Sequence, residues 1–173
     1  MVGLARGTVK LESHRTEWKD RYEKEVNRLT EIAGDRLLDF EHIGSTAISG
    51  MPAKPIIDLL AVVRNLEEGK DLTPVLEAHG YEYRPDDDVG GRLFFAKGPR
   101  ENRTYYLSLA EQNSDFFEEK VAFREYLREH AAVADEYASL KRNLAEQYPE
   151  TRETYTANKG AFIESVLDRA MNE

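Results

Sequence analysis

The chain has 173 residues, 40% hydrophobic and 33% charged, with 11 Gly, 6 Pro and no Cys, which excludes a disordered polymer, a fibrous repeat, a disulfide scaffold and any thiolate metal site. Its 33 acidic and 24 basic side chains give a formal charge of −9, so the whole-molecule field repels polyanions and no extended nucleic-acid surface is expected. No stretch approaches the roughly 20 apolar residues of a membrane-spanning helix and no secretion-signal pattern opens the chain, so a cytoplasmic protein without membrane contact is expected.

Over residues 13–33, Trp18, Tyr22, Val26, Leu29 and Ile32 recur at steps of three and four, the stripe of an amphipathic helix. Residues 37–43 read as a short strand. Gly44, Ser45 and Thr46 break it and can cap a short helical turn, and Gly50 and Pro52 mark an irregular link. The near-continuous apolar run over 55–63 predicts a strand covered on both faces. A crossover helix over about 66–79 then ends at Gly80. Residues 81–84 form a short strand and 86–91 an acidic loop, after which 92–97 and 103–109 predict a hairpin joined by Gly98 and Pro99. From Asp115 the pattern is helical, with Phe116, Val121, Phe123, Tyr126 and Leu127 on one helix. Val133, Tyr137, Leu140 and Leu144 mark a second, and Tyr155, Phe162, Ile163, Val166 and Leu167 a third beyond Pro149. The expected architecture is one α+β domain over 1–173, with a mixed sheet in about 9–112 and a helical tail in about 113–173.

Alternation along the apolar strand sends Ile56, Asp58, Leu60 and Val62 to one face and Ile57, Leu59, Ala61 and Val63 to the other. A carboxylate there is costly unless a metal, a cation or hydrogen-bond donors compensate it. Asp58 is therefore either a site carboxylate or a strand-end group that accepts backbone N–H bonds or pairs with Lys54 or an arginine. Gly44, Ser45 and Thr46 offer N–H groups and hydroxyls that suit a phosphate, and equally suit a plain cap. The sequence holds no Gly-x-x-x-x-Gly-Lys-Ser/Thr loop and no Gly-x-Gly-x-x-Gly fingerprint.

Taken together, Glu41-His42-Ile43-Gly44-Ser45-Thr46 and the link through Gly50-Met51-Pro52 to Lys54-Pro55-Ile56-Ile57-Asp58 closely resemble the signature of the GrpB family. The likeness extends to Trp18, Tyr22 and Glu25, to Arg92-Leu93-Phe94-Phe95, to Phe123-Arg124-Glu125-Tyr126-Leu127-Arg128, and to Tyr137, Lys141, Tyr155, Lys159 and Phe162. The resemblance implies a nucleotidyltransferase-like mixed β-sheet with flanking helices and a helical C-terminal part. It further implies that a Gly-Ser turn holds nucleotide phosphates and that strand carboxylates hold a divalent metal such as Mg2+. Carried over by position, Gly44 and Ser45 become phosphate contacts and Asp58 the metal carboxylate. Two departures separate this chain from the pattern of the wider superfamily and of many relatives. Leu60 replaces the second carboxylate of Asp-x-Asp, and Tyr106 and Ser108 stand where relatives carry His-x-His, keeping hydroxyls on one strand face.

His42 is read as a phosphate contact, an acid–base group, a support for metal or a residue that fixes the turn. His14, His79 and His130 lack ligand spacing and are read as structural. Lys54, Arg92, Arg103 and Lys159 are the basic candidates, with Arg92 and Arg103 expected to stabilise charge at phosphorus. Asp86, Asp87 and Asp88 either supply the missing carboxylate or form a solvated loop. The leading expectation is a protein that binds a nucleoside triphosphate or another phosphorylated small molecule and carries out metal-dependent nucleotidyl transfer. A catalytically silent phosphate-binding module and an interaction role for the tail aromatics are the alternatives, and the sequence leaves the oligomeric state open.

Overall fold

The apolar stripes expected from the sequence become helices and strands in the order α1 (Glu17–Ala33), β1 (Asp39–Ile43), β2 (Ile57–Val63), α2 (Leu66–Asp71), α3 (Thr73–Glu77), β3 (Tyr81–Tyr83), β4 (Arg92–Lys97), β5 (Tyr105–Glu111), α4 (Asp115–Glu129), α5 (Ala131–Gln147) and α6 (Arg152–Asn172). The structure, a computed structural model, describes residues 3–4, 10–88 and 91–172, so Val89 and Gly90 of the acidic loop and the first and last residues of the expected domain lie outside the described residues.

Among the described residues the sheet is five-stranded, in the order β1-β2-β5-β4-β3. β2 and β5 run parallel at its centre, and the remaining pairs are antiparallel. This is the mixed α+β architecture expected, including the hairpin of β4 and β5. On one face, Ile57, Leu59, Leu107 and Phe95 pack beneath Trp18 and Leu29 of α1 and beside Leu72 and Leu76. Leu59, Phe95 and Leu107 are fully buried, and each contributes about 2 kcal/mol. On the other face, Leu60, Val62, Ile43 and Ala110 meet Phe116 of α4. The tail joins this side through a second core in which Ile48 and Met51 pack with Tyr126, Tyr137 and Val166.

Three local differences from the sequence reading have physical causes. The helix expected over 66–79 is two short helices, because Pro74 lies in the first turn of α3, where its missing N–H and its ring prevent continuation from α2. Asn65 caps the first piece by accepting the N–H of Glu68. Helix α1 starts at Glu17, four residues after the expected start, and ends where Gly34 turns to φ 63°. Part of the acidic loop is a 3-10 turn at Pro85–Asp87.

A buried ion pair joins α1 to the sheet. Glu25, on the inner face of α1, accepts from Lys97 Nζ at 2.7 Å and from the Tyr81 hydroxyl. Tyr81 is consequently held well above its ordinary pKa, first by burial and then by the Glu25 charge.

Candidate functional site

The strand register decides which side chains meet. Asp58 pairs with Tyr106, Leu60 with Ser108 and Ser108 with Phe94, so Asp58, Tyr106, Ser108 and Arg92 share one face. The tail helices stand over that face and leave a cavity of about 320 Å³ between sheet and tail. Gly44, Ser45, Thr46, Lys54, Asp58, Arg92, Tyr106 and Ser108 all line it, as does Lys159. The Arg92 guanidinium donates to the Ser108 hydroxyl at 3.0 Å and lies over the rings of Phe94 and Phe116.

The Gly-Ser turn begins at Gly44 with φ 76° and ψ −176°, a region open in practice only to glycine. A Cβ there would lie 2.6 Å from Asp58 Oδ2. The turn is clamped from α4, where Arg124 donates to the His42 carbonyl at 3.0 Å and Arg128 to the Ala47 carbonyl at 2.6 Å. Arg124 also pairs with Glu41 at 3.5 Å, which commits the carboxylate opposite Leu60.

Two expected site residues are placed elsewhere. His42 points to the opposite face of the sheet from Asp58, because β1 alternates and Ile43 is the residue paired with Asp58. Its ring stacks on Tyr22 with centroids 4.5 Å apart, and Nε2 bonds the Thr46 hydroxyl at 2.9 Å, so His42 fixes the turn. Arg103 precedes β5, is 2% exposed, and donates to the Gly98 carbonyl at 2.6 Å and to Glu82 at 3.1 Å. It lines an adjoining outer cleft and not the cavity. Asp88 is also committed, accepting the N–H of Phe94 at 2.7 Å and the Tyr83 hydroxyl. His79 and His130, just beyond the C-terminal ends of α3 and α4, bond back to the carbonyls of Val75 and Tyr126, and His14 makes a T-shaped contact with Trp18.

Burial, with Arg128 and Arg124 adding to it, lowers the His42 pKa to about 4. Between about pH 4 and 6.5 the unfolded chain therefore binds the extra proton, and stability rises with pH through that window. His42→Gln removes this titration. Urea unfolding at pH 5 and pH 7 is expected to show that the wild type loses about 2 kcal/mol more than the variant on acidification; equal losses would refute a neutral buried His42.

Sequence reasoning missed the roof of the cavity. Lys120 of α4, Tyr137 and Lys141 of α5, and Tyr155 of α6 line it. The signal was present, since Lys141 falls four residues after Tyr137 and three before Leu144, on the buried stripe of its helix. With these included, the cavity carries Lys54, Arg92, Lys120, Lys141 and Lys159 against the carboxylates Asp58 and Glu119. Burial raises the Asp58 pKa, with Lys54, Lys120, Lys159 and Arg92 pulling it back. Burial lowers Lys120 and, more strongly, Lys141.

This donor set does not fit Mg2+. Among the described residues no group of three or more His, Asp or Glu is placed to hold a metal ion. Leu60, at the second carboxylate position, is fully buried in an apolar cluster, and the surrounding cations repel a divalent ion. Nor, among the described residues, is any helix long and apolar enough to cross a membrane.

A family profile described as GrpB protein matches residues 8–169. The chain is 37% identical over 172 residues to the glutamate-rich protein GrpB of Alkalihalophilus pseudofirmus, covering 97% of this chain and 99% of that protein. It is 36% identical over 153 residues to the protein YqkA of Bacillus subtilis, covering 88% of this chain and 44% of that longer relative. The crystal structure of the conserved protein GrpB from Enterococcus faecalis has a similar fold, with a TM-score of 0.86 and 34% identity over 93% of this chain and 96% of that one. Sequence match and shared architecture agree that this chain belongs to the GrpB family.

Proposed function

We propose that the protein binds a phosphorylated small molecule, with nucleotides the first candidates, in the cavity between sheet and tail, and that binding needs no resident metal. The observation that carries this reading is the sign of the cavity: five basic side chains face two carboxylates within a chain of net charge −9. Gathered cations in a partly dry space repel one another, and an anion relieves that repulsion as it binds. The outer cleft, about 750 Å³, shares Lys54, Asp58, Arg92, Tyr106 and Thr156 with the cavity, giving a larger ligand room beyond its phosphate end. Phe94 and Tyr106, with ring centroids 5.2 Å apart, offer that part an aromatic wall.

Calorimetric titration with ATP, AMP and pyrophosphate in the presence of EDTA tests the reading. At least one is expected to bind with Kd below about 1 mM, and Asp58→Asn is expected to tighten it by removing a repelling charge. Failure of all three to bind overturns the proposal. Metal-dependent nucleotidyl transfer, the expectation from the resemblance, is the rival reading that the same titration decides. That reading requires binding to depend on Mg2+, product to form, and Asp58→Asn to abolish both.

A further inference from the structure

Among the described residues, the buried side-chain nitrogen and oxygen atoms without a hydrogen-bond partner are His14 Nδ1, Trp18 Nε1, Arg92 Nε, Lys141 Nζ and Tyr155 OH. Three of these, from β4, α5 and α6, belong to residues lining the one cavity, and each has a proton to donate. Buried donors left unpaired are costly, above all on a charged group. Three that line a single space match a molecule that brings acceptors. Lys141 is 2% exposed and Tyr155 fully buried. The Lys141 ammonium lies 5.0 Å from the Tyr137 ring centroid, and the charges of Lys159 and Lys54 add to burial in disfavouring its own.

The Gly-Ser turn, by contrast, has part of its polar inventory engaged and contributes none of the unpaired buried side-chain donors among the described residues. The Thr46 hydroxyl bonds His42, and the N–H groups of Ala47 and Ile48 bond the carbonyls of Gly44 and Ser45. The Asp58 carboxylate lies against Gly44, where it repels an anion.

We infer that the terminal phosphoryl group of the ligand is received by the helical tail, through Lys141 and Tyr155 with Arg92 facing them from the sheet, and not by the Gly44-Ser45 turn. The inference rests on the anion-binding reading above and narrows its ligand class. A terminal phosphate presents three free acceptor oxygens, one for each unpaired donor, whereas a phosphodiester has lost one of them to its second ester bond. The ligand is therefore a phosphomonoester or the end of a polyphosphate.

Pyrophosphate, AMP and 3′,5′-cyclic AMP are the probes, titrated into wild type, Lys141→Met, Tyr155→Phe and Ser45→Ala, with the ligand-free melting temperature of each recorded. Wild type is expected to bind AMP at least about tenfold more tightly than cyclic AMP, and Lys141→Met to weaken pyrophosphate by about tenfold or more. The same variant is expected to melt higher than wild type without ligand, because an apolar chain of similar length replaces an unpaired buried cation. Tyr155→Phe, which deletes only a hydroxyl, is expected to weaken binding about threefold or more and carries the test should Lys141→Met not fold. Ser45→Ala is expected to weaken pyrophosphate less than Tyr155→Phe does. Unchanged affinity in Lys141→Met or in Tyr155→Phe overturns the inference, as does a loss in Ser45→Ala that matches or exceeds that in Tyr155→Phe, or equal affinity for AMP and cyclic AMP. Wild type that binds none of the probes overturns the underlying anion-binding reading as well, an outcome distinct from the others.

Discussion

Gly44→Ala is expected to lose about 4 kcal/mol of stability, the sum of a backbone effect and a steric one. The backbone effect arises because φ 76° with ψ −176° is costly for any residue with a Cβ, at about 1–3 kcal/mol. The steric effect arises because that Cβ would stand 2.6 Å from Asp58 Oδ2 and 3.2 Å from the Asp58 Cβ, and forcing them apart in a packed region costs about 1–3 kcal/mol. For a chain of this length the melting temperature should fall by about 12 °C. A double-mutant cycle with Asp58→Ala separates the contributions, since truncating Asp58 relieves the clash and leaves the backbone strain. The two substitutions are expected to couple by about 1–2 kcal/mol. A cycle that closes with no coupling would mean that the turn does not press on the carboxylate.

Glu25→Leu is expected to be the next most damaging change, at about 3 kcal/mol, because it leaves the Lys97 ammonium without its 2.7 Å partner and the buried Tyr81 hydroxyl without an acceptor. Glu25 is 5% and Lys97 14% exposed at their side chains, so moderate salt should change the loss little. The double variant Glu25→Leu with Lys97→Met is expected to recover most of it, since a buried pair replaced by apolar groups of similar size is often neutral or better. Chemical denaturation of the three variants measures this, and a double variant as unstable as the single one would show that the pair contributes more than mutual compensation.

The parts of the fold fixed by local pattern were readable. The stripe of α1 and the Pro149 break before α6 follow from side-chain spacing and backbone chemistry alone. Alternation correctly put Asp58 opposite Leu59, and Tyr106 with Ser108 on one face. What alternation could not supply was the pairing partner of each strand, and that choice sends Arg103 to Gly98 and Glu82 and turns His42 away from Asp58. The tail was legible as helices but not as a roof. Tyr137, Lys141 and Tyr155 occupy positions that packing explains, and only the way the tail sits over the sheet makes them walls of a cavity. The Gly-Ser turn, which invited a phosphate on its sequence, does line the cavity, and its Thr46 hydroxyl is bonded to His42 within the protein.

The central pairing of β2 with β5 has a consequence for the order of assembly. The β4–β5 hairpin joins near neighbours in the chain, whereas β2 and β5 meet across about fifty residues, a closure whose entropy must be met before the pairing rewards it. Sheet and helical tail each contribute walls to the cavity, so the pocket exists only after the slow, non-local step and the docking that follows it. A ligand there binds the finished molecule and not its separate parts, so it acts as a latch that stabilises the folded chain by mass action.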